Sequence, residues 1–308
     1  MRIDNPPNGL VPRLQGLHLF HFDGAPCAQR VRFALAEKGL SRGREVAYDA
    51  DDPHANGCDA GTWTSRHVSL VRKEHFTPFY AGIQPNLVVP ALVHDGELHI
   101  ESMDIIRYLD DCFGGEPLLP REGDAARQET VALTEEGERL HRSIRFVTFR
   151  WGLGRLGRLN AAEEANLHAL LKQAPDAEQL IDFYGDYDAD AIPLRVYEHH
   201  LLALHAAFSR LDARLADGRA FLAGDAITMA DVLWAMKTLR LDECGYPFAT
   251  THPNWWRWFQ RVQQRPAFRS GVMERHRRMN TLFRAKSRLE SLFGRGLRRG
   301  LHDALAAV

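Results

Sequence analysis

The sequence predicts an α/β domain followed by an all-helical domain. Three observations carry this: a β-α-β opening, a β-hairpin that runs straight into a helix, and the near absence of strand signals after Pro120. The opening strand is read from the apolar alternation of Leu17-His18-Leu19-Phe20-His21-Phe22, followed by the turn Asp23-Gly24-Ala25-Pro26. Val31, Ala34, Leu35 and Lys38 then recur at helical spacing between Cys27 and Lys38, with Pro26 suited to a first helical position and Gly39 to a terminus. Glu45-Val46-Ala47-Tyr48 completes the unit as a short strand.

Between Asp51 and Ser69 the periodicity dissolves into turn-forming residues, which reads as a loop insertion carrying Cys58 and Trp63. Order resumes at Gln84-Pro85-Asn86-Leu87-Val88-Val89-Pro90. The runs Ala91–His94 and Leu98–Ile100 flank Asp95-Gly96, a dipeptide suited to a two-residue hairpin turn. Glu101-Ser102 opens the next helix with Ser102 as its N-cap, and Ile105, Leu109 and Cys112 share an apolar face. After Pro120 helices are predicted over 125–149, 163–172, 196–215 and 228–241, the last opened by a variant capping box in Thr228-Met229-Ala230-Asp231. A basic, surface-lying helix follows over 275–299. The resulting division is 15–120, with the insertion at 51–69, and 121–308 with a basic C-terminal extension.

Composition narrows the function classes. The chain has 308 residues, 26% charged and 45% apolar, with a formal net charge of −1, so no global field steers it to nucleic acid. No run approaches eighteen apolar residues and the N-terminus lacks a signal-peptide core, so the expectation is a cytoplasmic protein without stable membrane insertion. Cys27, Cys58, Cys112 and Cys244 are scattered, which suits free thiols. Fifteen histidines show no ligand spacing, and no metal site is expected. His18 and His21, three apart on a strand, point to opposite faces.

Four words stand in order along residues 17 to 270: Ala25-Pro26-Cys27-Ala28-Gln29-Arg30-Val31-Arg32, Val89-Pro90-Ala91-Leu92, Ile100-Glu101-Ser102, and Phe221-Leu222-Ala223-Gly224-Asp225 leading into Thr228-Met229-Ala230-Asp231. In that arrangement the chain resembles the cytosolic glutathione transferases. The resemblance implies a thioredoxin-like N-terminal domain plus an all-α C-terminal domain, glutathione as co-substrate, and a homodimer. It also implies that Pro90 is cis, that Val89 presents its backbone to the cysteinyl part of glutathione, and that Glu101 and Ser102 hold the γ-glutamyl end, ammonium and carboxylate respectively.

The family usually places Ser, Tyr or Cys where Ala25 stands, and alanine donates no side-chain hydrogen bond. Cys27, two residues on in the first helical turn, resembles the cysteine of the Ser-x-Cys motif in zeta-class isomerases and glutathione-dependent reductive dehalogenases. The helix dipole and unpaired amides favour an anionic sulfur there. Cys27 is therefore the candidate catalytic residue, with Ala25, Val89, Pro90, Glu101 and Ser102 around glutathione. Arg30 and Arg32 are read as a solvated helix face or as pairing across the domain boundary. A small aromatic or hydrophobic electrophile is expected against the helix after Pro120, where His141, Arg145 and Phe149 recur at near-helical spacing. The chemistry is conjugation or thiol-dependent reduction, dehalogenation or isomerisation. The contrasting reading is a non-catalytic binding or scaffold protein that kept this fold and lost the catalytic hydroxyl.

Overall fold

A computed structural model describes residues 1–53, 61–171 and 177–307; Cys58 and Lys172 of the sequence reading lie outside them. The chain divides into two compact units, one of Met1–Glu116 with Arg158–Ala191, the other of Pro117–Gly157 with the chain from Ile192 onward.

The first unit is built on a six-stranded sheet. Its strands are β1 (Arg2–Ile3), β2 (Leu17–His21), β3 (Ser41–Ala47), β4 (Thr62–His67), β5 (Ala91–His94) and β6 (Glu97–Ile100), in the order β1-β6-β5-β2-β4-β3. β2 and β3 each run parallel to β4, whereas β5 is antiparallel to both β2 and β6. Helices α1 (Pro26–Glu37) and α3 (Ser102–Cys112) pack on each other, and the single turn α2 (Pro78–Ala81) lies in the connection to β5. Asp95 and Gly96 form the predicted hairpin turn, with φ of 48° and 82°, the positive values a type I′ turn requires at both positions.

β4 corrects the sequence reading of 51–69 as one loop. The segment Thr62–His67 is a central parallel strand, yet its buried side chains include Thr64, Ser65 and Arg66, so polarity hid it. Each buried polar group is partnered. Ser65 Oγ meets His21 Nε2 at 2.8 Å, and Arg66 Nε donates to His18 Nδ1 at 3.2 Å. Ser65 and Arg66 are successive residues of one strand, so His18 and His21 do face opposite sides. The Arg66 guanidinium also donates to the carbonyls of Ala47, Ala50 and Asp52, which ties the start of the 48–53 connection to the sheet.

A second correction concerns 158–191. The sequence places these residues in the helical domain, but α6 (Ala161–Leu171) and α7 (Ala177–Asp188) belong to the first unit. Leu167 and Leu171 are buried with Phe76 and Leu87, and Asn166 Nδ2 donates to the Phe76 carbonyl at 2.6 Å. Burial against the segment before β5 decides their place, and local periodicity carries no information about it.

The second unit is helical: α4 (Ala125–Arg139), α5 (His141–Val147), α8 (Leu194–Arg214), α9 (Met229–Glu243), α10 (Phe248–Thr251), α11 (Pro253–Gln264), α12 (Pro266–Phe268), α13 (Glu274–Leu292) and α14 (Leu297–Ala306). The predicted single helix over 125–149 breaks at Leu140, and the basic C-terminal helix is two helices. α9 is buried on nearly every side, as its apolar sequence requires. Its capping box forms: Thr228 Oγ1 and N both donate to Asp231 Oδ2, while Asp231 Oδ1 accepts from Leu222 N and Trp258 Nε1. Gly137 lets α4 approach α9, because a Cβ there would lie 2.4 Å from Leu233 Cδ2.

Candidate active site

Sheet register brings the candidate residues together. Ala91, the first residue of β5, pairs with Phe20 of β2 on one side and Ile100 of β6 on the other. The turn after β2, the Val89–Pro90 segment and the Glu101–Ser102 corner therefore meet at one end of these three neighbouring strands. Ala25, Val89 and Ile100 belong to the same buried cluster there.

The first of these segments carries Cys27. Ala25 is the N-cap of α1 with extended backbone and no side-chain cap bond; its carbonyl accepts from Gln29 N at 2.9 Å. Cys27 sits in the first turn, half-buried, with its thiol free. Arg30, one helical turn on, donates from Nη2 to Cys27 Sγ at 3.1 Å. The expectation of a solvated Arg30 and Arg32 is corrected here, since both are buried. Arg32 donates to the carbonyls of Phe22 and Asp23 at 3.2 and 2.9 Å and to His21 Nδ1 at 3.2 Å. It thereby fixes the turn that delivers Ala25 to Cys27. The spacing of three between Cys27 and Arg30 was the available signal, because i and i+3 are helix-surface neighbours.

The second segment holds a cis Val89–Pro90 bond. Val89 is buried, and among the described residues neither its N–H nor its C=O has a backbone partner. Tyr80 Oη donates to the Val88 carbonyl at 2.8 Å and steadies the approach to this bond.

The third segment is the N-terminus of α3. Glu101, not Ser102, is the N-cap, with φ of 63° and ψ of 112°, and Ser102 is the first helical residue. A positive φ is uncommon outside glycine, and such strain concentrates where a ligand is held. The Ser102 side chain is buried, and among the described residues its hydroxyl has no hydrogen-bond partner. The first-turn N–H groups of a helix lack intrahelical acceptors, so this corner presents donors and a positive dipole end beside the exposed Glu101 carboxylate. Asn86 was missed by the sequence reading. Its Nδ2 donates to Glu101 Oε1 at 3.4 Å, while its Oδ1 is buried without a partner. No sequence pattern distinguishes it, because only the folding of the 82–90 connection places residue 86 beside residue 101.

His141, Arg145 and Phe149 lie in the helical unit. His141 opens α5, Arg145 lies in its last turn and Phe149 in the π-helical stretch Thr148–Leu153; all three are half-buried. Beside them the Phe146 ring lies 4.3 Å from His200 and 5.9 Å from Tyr197. Among the described residues, no group of three His, Cys, Asp or Glu side chains is arranged to hold a metal ion.

Residues 19–117 match the family described as glutathione S-transferase, N-terminal domain, and residues 195–261 match glutathione S-transferase, C-terminal domain. The chain is 34% identical to glutathione S-transferase 1 of Dianthus caryophyllus over 108 residues, which is 35% of this chain and 39% of that protein. It is 24% identical to glutathione S-transferase TCHQD of Arabidopsis thaliana, over 83% of this chain and 89% of the relative. It is 25% identical to a 2,5-dichlorohydroquinone reductive dechlorinase of Sphingobium indicum, over 74% of this chain and 72% of the relative. Among solved structures, β-etherase LigF from Sphingobium sp. strain SYK-6 superposes with a TM-score of 0.68 at 20% identity, covering 84% of this chain and all of that one.

Proposed function

We propose that this chain, which belongs to the glutathione S-transferase family, uses glutathione as the nucleophile toward a small aromatic or hydrophobic electrophile, with Cys27 at the reacting sulfur. The observation that carries the reading is the meeting of the Cys27 thiol, the Val89 backbone and the buried Ser102 hydroxyl, beside Glu101, at one end of strands β2, β5 and β6. A tripeptide with two carboxylates, an ammonium and a thiol matches that set group by group. Val89 offers the donor and acceptor of an extended backbone, Ser102 and the α3 amides face a carboxylate, and Glu101 with Asn86 Oδ1 faces an ammonium.

Ala25 supplies no hydroxyl to the glutathione sulfur, so Cys27 and the Arg30 guanidinium take its place in this reading. The chemistry we favour is displacement. The glutathione thiolate attacks a carbon of the electrophile, a C–S bond forms and the leaving group departs with its electron pair. Two of the similar proteins are named for breaking a carbon–chlorine or an ether bond. His141, Arg145 and Phe149, aromatic and basic, are proposed to bind the electrophile. A homodimer, a cytoplasmic setting and a role in detoxification belong to the same reading.

Calorimetric titration with glutathione tests it, using the intact protein, Ser102→Ala and Cys27→Ala. Removing a hydrogen bond to a charged group is expected to weaken binding about tenfold in Ser102→Ala. Incubation with glutathione disulfide should give a Cys27–glutathione mixed disulfide, releasing one glutathione thiolate, seen by mass spectrometry and absent from Cys27→Ala. No heat of binding in the intact protein would overturn the reading in favour of a non-catalytic relative.

A further inference from the structure

The C-terminal helices carry a surface that glutathione chemistry does not use. One side of α13 is anchored to the body: Glu243 Oε1 accepts from His276 and from Asn280 Nδ2, all three buried, and Arg284 pairs with Asp242. The opposite side presents Leu282, Leu289, Leu292 and Phe293, which are 70, 56, 82 and 71% exposed. Spacings of seven and three align the leucines along one helix face, and Phe293 extends the stripe into the corner before α14. Apolar side chains this exposed are normal when scattered, but four along one stripe mark an interaction surface.

The charges around the stripe select the partner. Residues 274–307 hold nine Lys or Arg against three Asp or Glu, in a chain whose net charge is −1. Arg277, Arg278, Arg288, Arg295 and Arg298 are exposed, and among the described residues none forms an ion pair. Two of the three acids are already engaged, Glu290 by Lys286 and Asp303 by Arg299. We propose that the outward face of α13 and its corner into α14 dock on an anionic lipid surface. Leu289, Leu292 and Phe293 enter the headgroup boundary, while Arg288, Arg295 and Arg298 meet lipid phosphates. A second copy of this face would bring arginine against arginine, and nucleic acid has no use for the apolar stripe. Among the described residues no helix is long and apolar enough to cross a membrane, so the contact is peripheral.

Co-sedimentation of the full chain with vesicles tests this, comparing phosphatidylcholine alone with phosphatidylcholine containing phosphatidylglycerol. The intact protein is expected to pellet with the anionic vesicles only, and less so as salt rises. At roughly 1 kcal/mol for each basic residue near the surface, Arg288→Gln with Arg295→Gln and Arg298→Gln should lower the partition coefficient on the order of a hundredfold. Leu292→Ser with Phe293→Ser should lower it about tenfold or more, since each removes apolar area from the boundary. All five side chains are exposed or at the corner, and an unchanged melting temperature confirms that the variants fold. Equal binding to both vesicle types, or none, overturns the proposal. So does binding to duplex DNA that survives Leu292→Ser with Phe293→Ser, which assigns the patch to nucleic acid. A self-association lost in that same double variant assigns the face to a second copy and equally overturns it.

Discussion

Arg30 Nη2 donates to Cys27 Sγ across 3.1 Å within one turn of α1. The guanidinium is buried, so its charge acts on the sulfur with little screening by water. Arginine keeps this charge at any physiological pH and presents its donors in a fixed plane. A helix that lacks a hydroxyl at Ala25 thus still offers a donor to an anionic sulfur.

Arg30→Gln is accordingly expected to slow alkylation of Cys27 by iodoacetamide about tenfold, the worth of one hydrogen bond to a charged group. Arg30→Lys should retain more of the rate, because it keeps the charge. Stopped alkylation followed by mass spectrometry reads the rate at Cys27 separately from Cys112. Equal rates in all three proteins would show that Arg30 only packs.

Asn86 makes a sharper prediction about recognition. Its Oδ1 is buried and unpartnered beside Glu101, so an ammonium there would gain a second acceptor. Asn86→Ala should weaken glutathione binding by about threefold to tenfold, a typical hydrogen-bond increment. It should leave the affinity for an analogue lacking the γ-glutamyl amino group unchanged. Competition calorimetry with both ligands checks this, and an equal loss for both would remove Asn86 from ammonium recognition.

Asp231 tests stability in the helical unit. Both its oxygens accept from buried donors: Leu222 N, Thr228 N and Oγ1, and Trp258 Nε1, all at 2.8 to 2.9 Å. Burial raises its carboxyl above the ordinary range, while these bonds pull the other way. Asp231→Ala strands the donors in the core, and a loss of about 3–5 kcal/mol is expected. Urea unfolding followed by tryptophan fluorescence measures it.

His18 predicts a pH dependence. Burial, aided by the Arg66 charge, holds its imidazole down at about 4. The geometry requires the neutral ring, since Nδ1 accepts from Arg66 Nε while Nε2 lies 2.9 Å from the Gln15 carbonyl and donates to it. The unfolded chain takes up this proton first, near pH 6.5. Stability from His18 is therefore complete above about 6.5 and falls as pH drops toward about 4, by up to about 3 kcal/mol. His200 and His252 are lowered in the same direction by burial. In a pH series of urea melts, His18→Gln should show a shallower slope in this window than the intact protein.

Much of this protein was legible before its structure. The strand at Leu17, the Asp95-Gly96 hairpin, the cap at Thr228 and the buried α9 each follow from local pattern, because turn dihedrals, caps and amphipathic periods are properties of a few adjacent residues. The candidate site was legible as words, Ala25-Pro26-Cys27, Val89-Pro90 and Glu101-Ser102. Tertiary structure alone decided the rest. Thr62–His67 became a central strand because Arg66 and Ser65 find partners on β2 and in the 48–53 segment, which no hydropathy pattern encodes. The helices α6 and α7 joined the α/β unit because Leu167 and Leu171 bury against Phe76 and Leu87, about ninety residues earlier in the chain. The spacing of Arg30 from Cys27 is local, but its burial, like the place of Asn86 beside Glu101, is set by which segments pack together, a long-range quantity.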